Sequence, residues 1–176
     1  HPSSIYIDRF LIGHGLVNGG ISIHLINTEK DKPIHIRYLD MIPSSLRVYF
    51  HTLKLSINGI EITETTDLFD NFIIFPGEYK ECASVLEFEL SLPPSSILTL
   101  SIKFEKMFLT LEEHPPDPAR GLDVPSAIVT YSKQGNEIRM YSKGLLVNMP
   151  TPDFSMPFNV SYNLIKYYIY IYILCV

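Results

Sequence analysis

Along most of this chain apolar and polar residues alternate with a period of two, the spacing of a strand with one buried face rather than of a helix. Residues 85–92, VLEFELSL, put Leu86, Phe88, Leu90 and Leu92 on one face and Glu87, Glu89 and Ser91 on the other. Residues 34–40 do the same, with Ile34, Ile36 and Tyr38 inward and His35 and Arg37 outward. Further strands are expected at 5–12, 21–27, 127–131 and 137–142. Two longer runs, 46–57 and 97–111, change parity midway. Val48 and Phe50 share a face, whereas Leu53, Leu55 and Ile57 lie on the opposite one, with His51 and Thr52 at the change. Likewise Leu98, Leu100, Ile102 and Phe104 give way to Met107, Leu109 and Leu111. Such a switch marks a β-bulge or a strand passing from one sheet to another. Asn58-Gly59, between LKLSI and IEIT, predicts a type I′ hairpin turn, which needs positive φ at both central residues. Bent strands with two buried inner faces suit an all-β chain, an antiparallel β-sandwich followed by a short C-terminal apolar tail.

Several patterns invite chemistry. Gly13, Gly15, Gly19 and Gly20 follow the first strand, but no helix opens after them and no Lys-Ser/Thr pair follows. A turn or bulge region is therefore expected, not a phosphate cradle. Glu61, Glu64, Asp67 and Asp70 lack the spacing of a calcium loop and read as a solvated hairpin arm. Among the histidines, His24, His35 and His51 sit where neighbouring strands could bring them together at a metal, although outward-facing strand histidines are the default. Cys82 lies in a loop-like stretch, GEYKECAS, with no helix N-terminus to activate a Cys-His dyad, and Cys175 lies in the tail, so no internal disulfide is expected. No Gly-x-Ser-x-Gly, His-Glu-x-x-His or Cys-x-x-Cys sequence occurs. No catalytic, cofactor-binding or metal residue is expected.

Composition narrows the partners. The 176 residues are 46% hydrophobic and 12% aromatic with 13 prolines, a profile of strands and frequent turns. A chain of this length forms one domain, or part of a larger one, and buries about 70% of its unfolded surface. A net charge of −5 without a Lys/Arg cluster argues against a nucleic-acid partner. The chain begins His1-Pro2, with neither an initiator Met nor a signal peptide, as a fragment of a larger protein would.

Residues 148–157 contain Pro150, Pro152 and Pro157, which disfavour helix and central strand and leave an extended connector. Its side chains Met149, Phe154 and Met156, with Phe158, would pack on the body or meet a membrane surface. The expected organisation is a body at 1–147, the connector at 148–157 and an apolar tail at 158–176. The tail, about 19 residues with Asn159, Asn163 and Lys166, is marginal for a membrane span, which needs roughly 20 mostly apolar residues. An interfacial segment, an incomplete span and a β-prone strand all remain open. Asn159-Val160-Ser161 is a glycosylation sequon at the edge of that tail, a poor place for an accessible acceptor.

Four stretches in order, RFLIGHGLVNGGIS (9–22), LDMIPSSLRVYFHTL (39–53), FEKMFLTLEEHPPDPARG (104–121) and LLVNMPTPDFSMPFNV (145–160), resemble the PIG-T family, the T subunits of the glycosylphosphatidylinositol (GPI) transamidase. The last resembles the segment before that family's membrane anchor and singles out Asn148, Pro150, Thr151, Pro152, Asp153, Phe154 and Pro157. The loop between Ser126 and Ile138 is shorter than the family's acidic segment, and the tail departs from its membrane helix. The resemblance implies a non-catalytic subunit of the endoplasmic-reticulum complex that cleaves a C-terminal signal and joins the new carboxyl end to a GPI lipid. It implies a body in the lumen, partners that include a cysteine-protease-like catalytic subunit, and the endoplasmic-reticulum membrane. It also implies that the stabilisation of the complex and the presentation of substrate fall to this subunit. The residues themselves leave another class open: a stand-alone glycan- or peptide-binding sandwich with Tyr38, Tyr49 and Tyr141 lining an exposed platform. A free-standing hydrolase would need a nucleophile and base within reach in a pocket.

Overall fold

A computed structural model describes residues 4–62, 68–78, 81–110, 112–113, 120–133 and 135–150. They form twelve strands: β1 (Ile5–Ile12), β2 (Asn18–Asn27), β3 (Ile34–Ile42), β4 (Leu46–Ile57), β5 (Ile60–Glu61), β6 (Phe69–Phe75), β7 (Ser84–Leu92), β8 (Ile97–Lys106), β9 (Leu122–Val124), β10 (Ile128–Lys133), β11 (Asn136–Tyr141) and β12 (Leu145–Val147). One sheet runs β1-β2-β8-β4-β5 and the other β11-β10-β3-β7-β6, while β12 and β9 form a two-stranded ribbon. Every pairing is antiparallel.

Alternation sets the core. Ile21, Ile23 and Leu25 of β2 pair with Ile102, Leu100 and Leu98 of β8, and all six are buried. From the other sheet Ile36, Tyr38, Leu86, Phe88, Leu90 and Val129 are buried against them. Tyr38 and Phe88 are cross-strand partners whose rings stack at 4.7 Å between centroids. Each such side chain contributes about 1.5–3 kcal/mol by leaving water.

The bulge expected in β4 is present. Tyr49 pairs with Lys103 and Lys54 with Ser101, so five steps along β4 match two along β8. Thr52 holds the bulge: its hydroxyl donates to the Tyr49 carbonyl at 2.6 Å and accepts from the Lys103 N–H at 3.0 Å. Asn58 and Gly59 take φ of 50° and 82°, as the type I′ turn requires.

Other expectations need correction. β8 ends at Lys106, so Met107 and Leu109 lie beyond the strand and their change of parity reports a strand end, not a second bulge; Leu111 falls outside the described residues. There the ladder gives way to loop contacts, Lys106 N–H to Val17 O at 2.7 Å and Met107 N–H to Ser45 O at 3.0 Å. Gly19 and Gly20 are not turn residues but part of β2. A side chain at Gly19 would meet the Phe104 ring at 2.6 Å, and one at Gly20 would meet Ile12 at 2.8 Å, so close packing is what requires glycine there. Of the acidic group, Glu61 lies on β5 and Asp70 on β6, each beside a base, Lys54 at 3.8 Å and His35 at 3.2 Å; Glu64 and Asp67 fall outside the described residues.

Candidate interaction site at the connector end

The registers gather several connections at one end of the sandwich. Ile12 faces Gly20, Asn18 faces Glu105, Leu46 faces Lys106, Ile42 faces Ser84 and Ile128 faces Tyr141. The first residues of the connector lie at this end. β12 pairs with β9 through Leu145–Val124, Leu146–Asp123 and Val147–Leu122, and the Ser142 and Ala127 backbones are joined by a 2.9 Å hydrogen bond. Val147 and Met149 are buried, while Asn148 between them is exposed and Pro150 half-buried. Gly121, the last residue of PDPARG, lies directly beneath. It has φ +91°, and a Cβ there would stand 2.5 Å from the Val147 carbonyl oxygen. Positive φ and close approach both exclude any side chain.

A cavity of about 340 Å³ opens beside the connector. Its walls come from the end of β1 (Leu11), from the β1–β2 connection (His14, Leu16), from β8 (Phe104, Lys106) and from Leu146 and Met149. Lys106 ties two walls together, its ammonium donating to the Gly15 carbonyl at 3.1 Å.

Behind this end a buried charge cluster joins the layers. Arg9 on β1 and Asp40 on β3 are each 1% exposed and meet at 2.8 Å, Arg9 Nη2 donating to Asp40 Oδ1. Tyr38 donates its hydroxyl to Asp40 Oδ2 at 3.0 Å, and Arg9 Nη1 donates to the Pro125 carbonyl at 2.6 Å. Arg9 thereby anchors the segment between β9 and β10 while pairing across the core. Among the described residues its Nε has no hydrogen-bond partner. Burial raises the Asp40 pKa above the ordinary carboxylate value, with Arg9 and the Tyr38 hydroxyl pulling the other way. Burial, reinforced by the Asp40 charge, pushes the Tyr38 phenol well above its ordinary value.

Sequence reasoning missed this cluster although parity carried the signal. Arg9 shares the face of Ile5 and Ile7, and Asp40 shares that of Ile34, Ile36 and Tyr38. Opposite charges on the inward face of two strands are a mark of a buried pair, because an unpaired one would be too costly.

A sequence profile of the family described as "Gpi16 subunit, GPI transamidase component" matches residues 1–162. The chain belongs to this family. A Schizosaccharomyces pombe member, "GPI transamidase component PIG-T homolog", is 34% identical over 159 residues, covering 89% of this chain and 29% of the relative. The human "GPI-anchor transamidase component PIGT" is 31% identical over 182 residues, 89% of this chain and 31% of the relative. This member of the Gpi16 family thus spans less than a third of the length of those relatives. In structure it is similar to the Bacillus cereus major pilin subunit BcpA (TM-score 0.59, 12% identity, 84% of this chain and 41% of that one). It is also similar to the collagen-binding domain of RspB from Erysipelothrix rhusiopathiae (TM-score 0.52, 13% identity, 85% and 47%). At such identity the likeness is one of fold alone.

The segments resembling PIG-T meet in this Gpi16-family fold. Arg9 pairs with Asp40, Gly19 lies against Phe104, and Gly121 lies against Val147. Of the connector residues singled out, Asn148 and Pro150 line the cavity, while Thr151, Pro152, Asp153, Phe154 and Pro157 lie outside the described residues, as do Asn159 and Cys175. Cys82 is exposed in the β6–β7 connection, where its sulfur accepts from the Glu78 N–H at 3.3 Å. The three strand histidines are kept apart: β8 separates His24 on β2 from His51 on β4, and His35 is in the other sheet. His24 meets the Phe10 ring edge-on, His35 faces Asp70, and His51 lies by Tyr49. Tyr38, Tyr49 and Tyr141 do not share a platform. Tyr38 is sealed between the sheets, Tyr49 on the first sheet donates its hydroxyl to Glu105, and the exposed Tyr141 is on the second.

Proposed function

We propose that the chain is part of a non-catalytic subunit of the endoplasmic-reticulum GPI transamidase, stabilising the complex and helping to present substrate for attachment of GPI anchors to protein C-termini. In this reading residues 1–147 are a lumenal sandwich, 148–157 a connector and 158–176 a segment at the membrane. The catalytic cysteine belongs to another, cysteine-protease-like subunit. The observation that carries the reading is the family match over residues 1–162. In support, three of the resembling stretches supply the walls of one cavity beside the connector. A sandwich held across its layers by Arg9 and Asp40, with its exit strand pinned on Gly121, is suited to hold partner-facing loops at a set height. Surface complementarity, not bond making, is then its work.

The test is to graft residues 9–160 into a tagged full-length family member in cells lacking their own, once with an ordinary membrane helix and once with this chain's tail. Recovery of the catalytic subunit with the tag, together with restored GPI-anchored proteins at the cell surface, is the expected result for the first graft. Loss of both from that graft would sink the assignment. Recovery with the ordinary helix alone would locate the defect in residues 161–176.

A further inference from the structure

We propose that the connector end of the sandwich rests on a phospholipid bilayer surface, its leucines entering the acyl boundary and its cavity taking a lipid headgroup. This rests on the proposed reading that residues 158–176 lie at a membrane. Three observations point to lipid.

The first is exposure. Leu16 is 83% exposed, Leu146 49% and Leu11 36%, and all three line the same cavity rather than being scattered singly. They arrive from the β1–β2 connection, from β1 and from β12, so the fold assembles an apolar rim that no single stretch of sequence contains. Phe108, two residues past Lys106, is 72% exposed.

Charge is the second. The whole sequence carries 19 acidic residues against 14 Lys and Arg, yet among the described residues lining the cavity the ionisable ones are Lys106 and His14, with no carboxylate. Lys106 spends one N–H on the Gly15 carbonyl and has two more for a phosphate oxygen. Leucines beside a cation, without acids, match the boundary between headgroups and acyl chains.

Reach is the third. Seven residues, 151–157, separate Pro150 from the apolar stretch that opens at Phe158, and such a segment spans at most about 25 Å. The opposite end of the sheet, where Ile60 is 74% exposed in the β4–β5 hairpin, lies a further ~30 Å away along strands of about ten residues. A membrane holding the tail therefore faces the Leu16 end.

The test is reconstitution of the full 176-residue chain, with Cys82→Ser and Cys175→Ser, into phosphatidylcholine vesicles containing a nitroxide-labelled phosphatidylcholine. A fluorophore is attached at Leu16→Cys or, as the distal control, at Ile60→Cys; both side chains are exposed, so neither label disturbs the core. The expected result is quenching at position 16 several-fold greater than at position 60. Equal quenching at the two positions in vesicle-bound protein would overturn the proposal and leave the membrane reading standing. A chain that does not remain with the vesicles would overturn both. Burial of the position-16 label by added transamidase subunits, with no quenching by lipid, would also overturn it and give this face to a protein partner.

Discussion

Arg9 on one sheet and Asp40 on the other meet at 2.8 Å, each 1% exposed. Their burial makes each the other's compensation. Arg9→Met alone leaves a buried carboxylate, and Asp40→Leu alone leaves a buried guanidinium. Either single change should cost about 3–5 kcal/mol, whereas the double change should cost much less than the sum, because an apolar pair needs no partner. Urea unfolding of the four proteins measures the coupling; additive losses would mean that the pair is not interacting.

Arg9→Lys separates the two tasks of the guanidinium. A lysine can approach Asp40 but lacks the fork that reaches the Pro125 carbonyl as well. Amide exchange should accelerate at Val124 and Val147 on the ribbon while the β2–β8 amides stay protected. Uniform acceleration across both sheets would show that Arg9 does not act on the ribbon in particular.

Gly121 and Gly59 both have positive φ, +91° and +82°, but only Gly121 faces a close neighbour. Gly59→Ala should cost about 1 kcal/mol, the ordinary strain of a left-handed residue. Gly121→Ala adds a clash with the Val147 carbonyl and should cost at least about 2–3 kcal/mol. Thermal unfolding of the two variants decides; equal losses would contradict the close approach.

Gly19 has a different neighbour, the ring of Phe104, at 2.6 Å from where a Cβ would stand. Gly19→Ala should destabilise by about 1–3 kcal/mol through overpacking. Phe104→Leu, itself destabilising, should remove most of that extra penalty when the two are combined. Chemical unfolding of the double variant is the measurement, and a fully additive loss would assign the Gly19 requirement to something other than the ring.

Glu29 supplies a pH dependence at the end away from the connector. Hydrogen bonds from Ser4, at 2.6 Å, and from Lys133, at 3.2 Å, hold its carboxyl below the ordinary 4.5. The folded value is the lower of the two, so the unfolded chain binds the proton more readily. The stabilisation is present above 4.5 and fades as pH falls through the folded value. A carbon-detected titration of the Glu29 carboxyl should give a midpoint below 4.5, and Ser4→Ala should move it upward. A midpoint that ignores the substitution would refute the role of Ser4.

The expected strands followed alternation closely where both faces were distinct. β1 and β4 run over the expected residues, and the parity change around His51 marked the irregularity that Thr52 holds. Where alternation failed, other forces were at work. β6, FDNFIIF, has apolar residues on both parities at a sheet edge, and β9 and β12 are three residues each, too short for a period to register. They exist as strands because they pair with each other while Gly121 and Arg9 hold the surrounding chain.

Local pattern determined the class of this protein: the period of two, the Asn58-Gly59 turn and the wording of four stretches were sufficient for an antiparallel sandwich of the Gpi16 family. Those features depend on neighbouring residues along the chain, where steric and hydrophobic preferences act directly. Tertiary structure alone decided that Arg9 is buried on Asp40, that Gly19 and Gly121 are required by Phe104 and Val147, and that Leu11, Leu16 and Leu146 share one rim. These are contacts between residues far apart in the chain, and only the register of the strands and the stacking of the two sheets bring them within reach.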